Sequence, residues 1–138
     1  MSEQHRFSDT DLQYRFEGVK VEAGDMVTPT ATVTVGTPEG ESKTVTSKGT
    51  GPVDAVCKAI DQIVDQSCNL TEFAVASVTD GIDAIGEVTI RVEDSNGHIY
   101  AGRGGDTDII VASAKAYINA INRMSVLGPD QTELTFSE

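Results

Sequence analysis

Two short runs carry the residue types that could meet a ligand: Gly49-Thr50-Gly51-Pro52-Val53-Asp54 and Gly102-Arg103-Gly104-Gly105-Asp106-Thr107-Asp108. Each sets glycines ahead of an amphipathic stretch, with Asp54, or Asp106 and Asp108, close behind. A helix start presents N–H groups that have no intrahelical partner, at the positive end of the helix dipole, and so attracts anions. Neither run has the Lys of a phosphate loop or the third glycine of a dinucleotide turn, and the acids would repel a phosphate. A zwitterion suits such a place better, its carboxylate on backbone N–H groups and its ammonium on an Asp or nearby carbonyls. The same glycines also admit a steric reading, in which the missing Cβ simply lets strand and helix approach closely. Both readings fit these residues.

Other chemistry is thinly supplied. The histidines are His5, near the N-terminus, and His98, in a predicted turn. No His-x-His or Glu-x-x-His spacing offers a metal its ligands, and no Gly-x-Ser-x-Gly elbow is present. Asp106 and Asp108 read as helix-start residues favoured by the dipole rather than as an acid/base pair. The residues therefore predict no catalysis by this chain alone, no metal and no cofactor. Cys57 and Cys68 stand eleven residues apart. On one helix that is roughly 16 Å, against the roughly 4.4–6.8 Å between the Cα atoms of a disulfide. Cys57 thus reads as a small core residue.

The charge balance narrows the partners. Twenty-two acidic against ten basic side chains give a net charge of −12. That disfavours nucleic acid and anionic membranes, which both call for positive charge. No apolar run is long enough to span a bilayer, and the first residues lack the apolar core of a signal peptide, so the expected location is the cytoplasm. A chain of 138 residues can bury roughly two-thirds of the surface its unfolded form exposes. With no Trp and few aromatics, the core should be built from Val, Ile and Ala.

Those runs must be positioned by the elements around them. FEGVKVEA and TPTATVTV alternate apolar and polar residues as half-buried strands do. TPEG, residues 37–40, supplies a turn, and SKTVTSKG returns as a third strand. A helix then opens with Pro52 in its first turn, and Val53, Val56, Cys57, Ile60, Ile63 and Val64 form its apolar face. The second half repeats the order with TEFAVASVTD, GEVTIRVED, an SNG turn whose Gly97 can take positive φ, and HIYAGRG. Its helix is expected from about Asp106 to Leu127, with Ile110, Ala114, Tyr117, Ile121 and Met124 on one face and Gly128-Pro129 closing it. The predicted class is α+β: two βββα repeats with pseudo-two-fold symmetry, antiparallel sheets and helices packed on one face. The expected division is a flexible N-terminus over 1–10, repeat one over about 11–68, repeat two over about 69–128, and a C-terminal tail over 129–138.

Three stretches together, GTGPVDAVCKAI, FAVASVTDGIDAIGEVTIRV and GRGGDTDIIVASAKAYINAINR, resemble the C-terminal regulatory (dimerisation) domain of the 2-isopropylmalate synthase family, to which citramalate synthases are related. The likeness runs from about residue 12 to residue 127. It implies two βββα units, and a homodimer that binds leucine or isoleucine, the branched-chain end product, near its subunit interface. In the family that binding gives feedback inhibition of a catalytic barrel condensing acetyl-CoA with a 2-oxo acid, an acyltransferase domain or subunit that 138 residues have no room for, since such a barrel takes about 250 residues. Carried over position by position, the resemblance implies a ligand site of Gly51, Pro52, Val53 and Asp54, with Phe73, Ser77, Ala84 and Ile109. Phe73 stands where the family tends to have Tyr, and Ser77 where it tends to have Ala. The alternative reading is a purely structural homodimerisation module that binds no ligand.

Overall fold

The computed structural model describes residues 13–64, 68–77 and 85–127. Its element order is β1 (Arg15–Gly24), β2 (Val27–Gly36), β3 (Ser42–Lys48), α1 (Pro52–Val64), β4 (Asn69–Ser77), β5 (Gly86–Glu93), β6 (Ile99–Asp106) and α2 (Ile109–Leu127). The chain divides into two compact units, residues 1–66 and 67–138. Each holds one antiparallel three-stranded sheet, ordered β1-β2-β3 and β4-β5-β6, and one helix. The α+β class with two βββα units is therefore as the alternation indicated. The expected N-terminal segment over 1–10, the tail over 129–138 and the Gly128-Pro129 helix stop fall outside the described residues.

In the first unit the central strand β2 sorts its side chains by parity. Ala31, Val33 and Val35 are fully buried on the face that α1 covers. Thr32 and Thr34 point the other way and pair across to β3, Thr32 Oγ1 to Thr46 Oγ1 at 2.8 Å and Thr34 Oγ1 to Thr44 Oγ1 at 2.9 Å. The β-branched residues suit both faces of a pleated strand, and the hydroxyls satisfy one another where water reaches them. The TPEG turn closes as predicted, with the Gly40 N–H bonded to the Thr37 carbonyl at 2.9 Å and Gly40 at φ 93°. Helix α1 then buries Ala55, Val56, Cys57, Ala59, Ile60, Ile63 and Val64. Val53, expected on that face, lies at its half-buried end.

The second unit repeats the plan with a tighter seam. Val88, Ile90 and Val92 of β5 are fully buried. Beside them, in register, β6 presents Gly104, Gly102 and Tyr100. A Cβ on Gly102 would collide with the backbone of Ala116 and Ala120, and one on Gly104 with the backbone of Ala112 and Ala116. Alanines at i, i+4 and i+8 of α2 thus rest directly on a strand stripped of side chains. HIYAGRG is a strand as expected, but β6 runs on through Gly105 to Asp106, so no glycine turn stands before the helix and α2 begins at Ile109 rather than near Asp106. Gly102 and Gly104 serve close approach, and the β5–β6 register carries the strand on to Asp106. At the opposite end of that hairpin, Asp94 Oδ1 accepts from the N–H groups of Asn96 and His98, each at 2.9 Å, with Gly97 at φ 88°.

Gly102→Ala should lower the unfolding free energy by about 1–3 kcal/mol through overpacking. Gly105→Ala should stay within about 0.5 kcal/mol of the parent, because its added carbon meets its nearest neighbour, Ile85 Cγ2, at an ordinary 3.7 Å. Urea titration of both variants checks the contrast.

Candidate functional site

The start of α1 is built from a strand end, two glycines and a proline. The Gly49 N–H bonds to the Pro29 carbonyl at 3.0 Å, and an added Cβ there would sit 2.5 Å from the Ala55 nitrogen. Gly49 is therefore a close-packing glycine. Gly51 is not: nothing lies within 4 Å of a Cβ added to it, and its φ lies outside the left-handed region. Neither space nor backbone conformation calls for glycine at this position. The Gly51 carbonyl accepts the Ala55 N–H at 2.9 Å, which makes Gly51 the N-cap of α1. A glycine N-cap has no side-chain oxygen to offer the N–H groups of Val53 and Asp54, and Pro52 has no N–H at all. Among the described residues, the N-cap position of this helix thus contributes no side-chain acceptor.

Asp54 shapes the charge at that entry. Its Oδ2 accepts from the Thr50 N–H at 2.9 Å and faces Lys58 Nζ at 3.1 Å, with the side chain 38% exposed. The Thr50 N–H first, and the Lys58 ammonium second, hold the Asp54 carboxyl below its ordinary value of 3.8. The carboxylate reaches back past the Gly51 N-cap to an N–H ahead of the helix, one residue beyond the contact a capping box makes. Sequence reasoning singled out Asp54 as a partner for a ligand ammonium and missed Thr50 and Lys58. The i, i+4 spacing of Asp54 and Lys58 was the available signal.

The start of α2 is finished differently. Asp108 is its N-cap, with its carbonyl on the Ala112 N–H at 2.9 Å and its Oδ1 on the Ile110 N–H at 2.8 Å. Behind it Asp106 accepts the Asp108 N–H at 2.9 Å and pairs with Lys115 Nζ at 3.2 Å. The Asp108 N–H first, then Lys115, hold the Asp106 carboxyl low. This helix start is closed by the chain's own carboxylate, as the reading of Asp106 and Asp108 as helix-start residues anticipated.

The remaining sequence-derived positions lie in the second unit. Phe73 sits on β4 opposite Ile90 and is 39% exposed. Ser77 ends β4 and pairs with Gly86. Ile109 opens α2, and its Cδ1 occupies the space above Gly86, where an added Cβ would meet it at 2.6 Å. Gly86 thus joins Ser77 and Ile109 in one corner, a residue that sequence reasoning did not single out. Ala84 lies outside the described residues. Among the described residues no three His, Cys, Asp or Glu side chains are grouped to hold a metal, and no helix is long and apolar enough to cross a membrane.

The model of the LeuA allosteric (dimerisation) domain matches residues 2–125. The chain belongs to this family. Among curated proteins it is 54% identical over 121 residues to the 2-isopropylmalate synthase of Olsenella uli, covering 88% of this chain. It is 57% identical over 115 residues to that of Thermosynechococcus vestitus, covering 83%. It is 54% identical over 125 residues to that of Crocosphaera subtropica, covering 91%. The chain spans 24%, 21% and 23% of the length of these relatives, about a quarter in each case.

Removing the α2 cap with Asp108→Ala should cost about 1 kcal/mol of stability in denaturant titrations. The Asp54 carboxyl is lowered in the fold, so its contribution is present above 3.8 and disappears as the pH falls through its lowered value. Stability should therefore drop more between about pH 7 and about pH 3 for the parent than for Asp54→Asn, by less than about 1 kcal/mol because the group is partly exposed.

Proposed function

We propose that this chain is an amino-acid-binding regulatory domain that gives feedback control to an acyltransferase of the 2-isopropylmalate synthase type, in leucine biosynthesis or a related citramalate pathway. The observation that carries the reading is the contrast between the two helix starts. One is closed by Asp108, and the other carries at Gly51 a glycine that neither packing nor backbone conformation requires. A ligand carboxylate at the N–H groups of Val53 and Asp54 supplies the missing cap, and Pro52 and Val53 offer it an apolar border. Asp54, held ionised by its own chain, stands by for the ammonium. The family resemblance adds Phe73, Ala84 and Ile109 as apolar ligand residues and Ser77 as a polar one. One methylene in such a cup is worth about 1–3 kcal/mol, so leucine and isoleucine compete closely.

Regulation then follows from linkage. An effector shifts a dimer between two arrangements only by the difference in its affinity for them. Family membership supports a homodimer. The catalytic partner is an acyltransferase domain of the kind the longer relatives are named for.

Calorimetric titration with leucine, isoleucine and valine should give saturable heat for at least one, and heat from none would leave only the structural dimer. Gly51→Ser installs a side-chain cap at the α1 start. It should raise stability by a few tenths of a kcal/mol and weaken the amino acid about tenfold or more, through loss of charge-assisted hydrogen bonds. A variant that gains stability yet binds as before would remove the ligand from this helix start.

A further inference from the structure

Four asparagines occur in the chain, and one of them, Asn96, is followed by glycine. An asparagine can lose its amide to its own backbone: the nitrogen of the next residue attacks the side-chain carbonyl carbon and closes a five-membered imide. Glycine hinders that attack least, since it carries no Cβ beside the nitrogen. The other three asparagines precede Leu70, Ala120 and Arg123. Asn119 and Asn122 lie within α2, and Asn119 Nδ2 donates to the Arg103 carbonyl at 2.6 Å.

The fold itself imposes the vulnerable pair. Ser95, Asn96 and Gly97 form the loop between β5 and β6. The Gly97 N–H closes it on the Asp94 carbonyl at 3.1 Å, and the Asp94 N–H on the His98 carbonyl at 2.9 Å. Such a three-residue loop takes left-handed backbone at its last position, and Gly97 has φ 88°. Glycine is thus required where it leaves Asn96 unshielded, and both residues are exposed. The same turn also opposes the reaction. The attacking nitrogen must first give up its proton, which the closed turn holds on the Asp94 carbonyl. The Asp94 side chain adds a second restraint. Its Oδ1 accepts from the N–H groups of Asn96 and His98 at 2.9 Å each, and its Oδ2 accepts from the Tyr100 hydroxyl at 3.3 Å.

We propose that Asn96 is a modification site, where the chain converts its own asparagine to aspartate and isoaspartate, and that Asp94 is the positioning residue that sets the rate by keeping the turn closed. When the turn opens locally, a solvent base takes the Gly97 amide proton. The nitrogen then bonds to Asn96 Cγ, and the Cγ–Nδ2 bond breaks as ammonia leaves. Water opens the imide at either carbonyl. One opening restores the ordinary peptide link beside a new carboxylate, and the other runs the backbone through the side chain, one carbon longer. Water enters, ammonia departs, and nothing is oxidised or reduced. Either product sets a further negative charge near Asp94, in a chain already at −12. The site belongs to the second unit's own hairpin and is independent of any effector.

Incubating the folded chain in mildly alkaline buffer and mapping its peptides by mass should show Asn96 converting to two separable products, with Asn119 and Asn122 intact. Asp94→Ala should speed the conversion about fivefold or more, through loss of the hydrogen bonds to the Asn96 and His98 N–H groups. Exchange of the Gly97 amide should quicken by the same factor while α2 amides keep their protection, which a general loss of stability would not produce. Asp94→Asn retains an acceptor oxygen and should stay near the parental rate. Where Asp94→Ala fails to fold, the parent decides: conversion should be slower in the folded chain than in denaturant by the factor that protects the Gly97 amide. Asn96 intact after the time which that protection predicts, helical asparagines converting as fast, an unchanged rate in Asp94→Ala, or equal rates in folded and denatured parent would overturn the inference.

Discussion

A single helix is narrower than a three-stranded sheet. With its side chains it measures about 10–12 Å across, and strands repeat at about 4.8 Å, so one helix covers two strands and leaves the third beyond its edge. Both units obey this limit. Helix α1 lies over β2 and β3, with only a marginal contact to β1, and α2 lies over β6 and β5. A βββα unit therefore has an unfinished side by construction, and what finishes it must come from outside the unit. The buried rows of β2 and β5, the half-buried row of β1 and the bare row of β4 are all consequences of that width.

Within each unit the seam between helix and sheet is closed by different means. α1 buries Val56, Ile60 and Ile63 where it lies over β2 and β3. α2 settles its alanines on Gly102 and Gly104, which shortens the distance between helix and strand and lets backbone meet backbone. Core packing at near-crystalline density leaves no slack at such a seam. The two glycine runs that look alike in sequence thus perform different tasks. One lies under a helix, and the other follows a strand and opens a helix whose N-cap residue, Gly51, has no side-chain oxygen.

The electrostatics at the helix starts follow the same division. Asp108 spends its carboxylate on the N–H of its own helix. Asp54 reaches back to Thr50 and is balanced by Lys58, so the α1 start keeps its positive end without a bare negative group across it. In a chain of net charge −12, a small place where backbone dipoles outweigh carboxylates suits an anionic group.

Alternation and helical period decided the fold before any coordinates, because they record which side of each element meets water. TATVTV assigns Thr and Val to opposite faces whatever covers them, and SNG and TPEG make their turns by local backbone chemistry alone. The residues Asp106 and Asp108 were legible as helix-start groups for the same local reason. Three matters belonged to the tertiary structure. Whether a glycine is required depends on what its absent Cβ would strike, which separates Gly102 and Gly104 from Gly51. Whether Asp54 is available depends on Thr50 and Lys58, one of them on the next turn of the helix. Whether an apolar row is buried depends on the width of the helix above it, so Leu70, Phe73 and Val75, on a strand whose pattern does not say what covers it, stand exposed in space. A periodic pattern names the face of an element, and only packing names its neighbour.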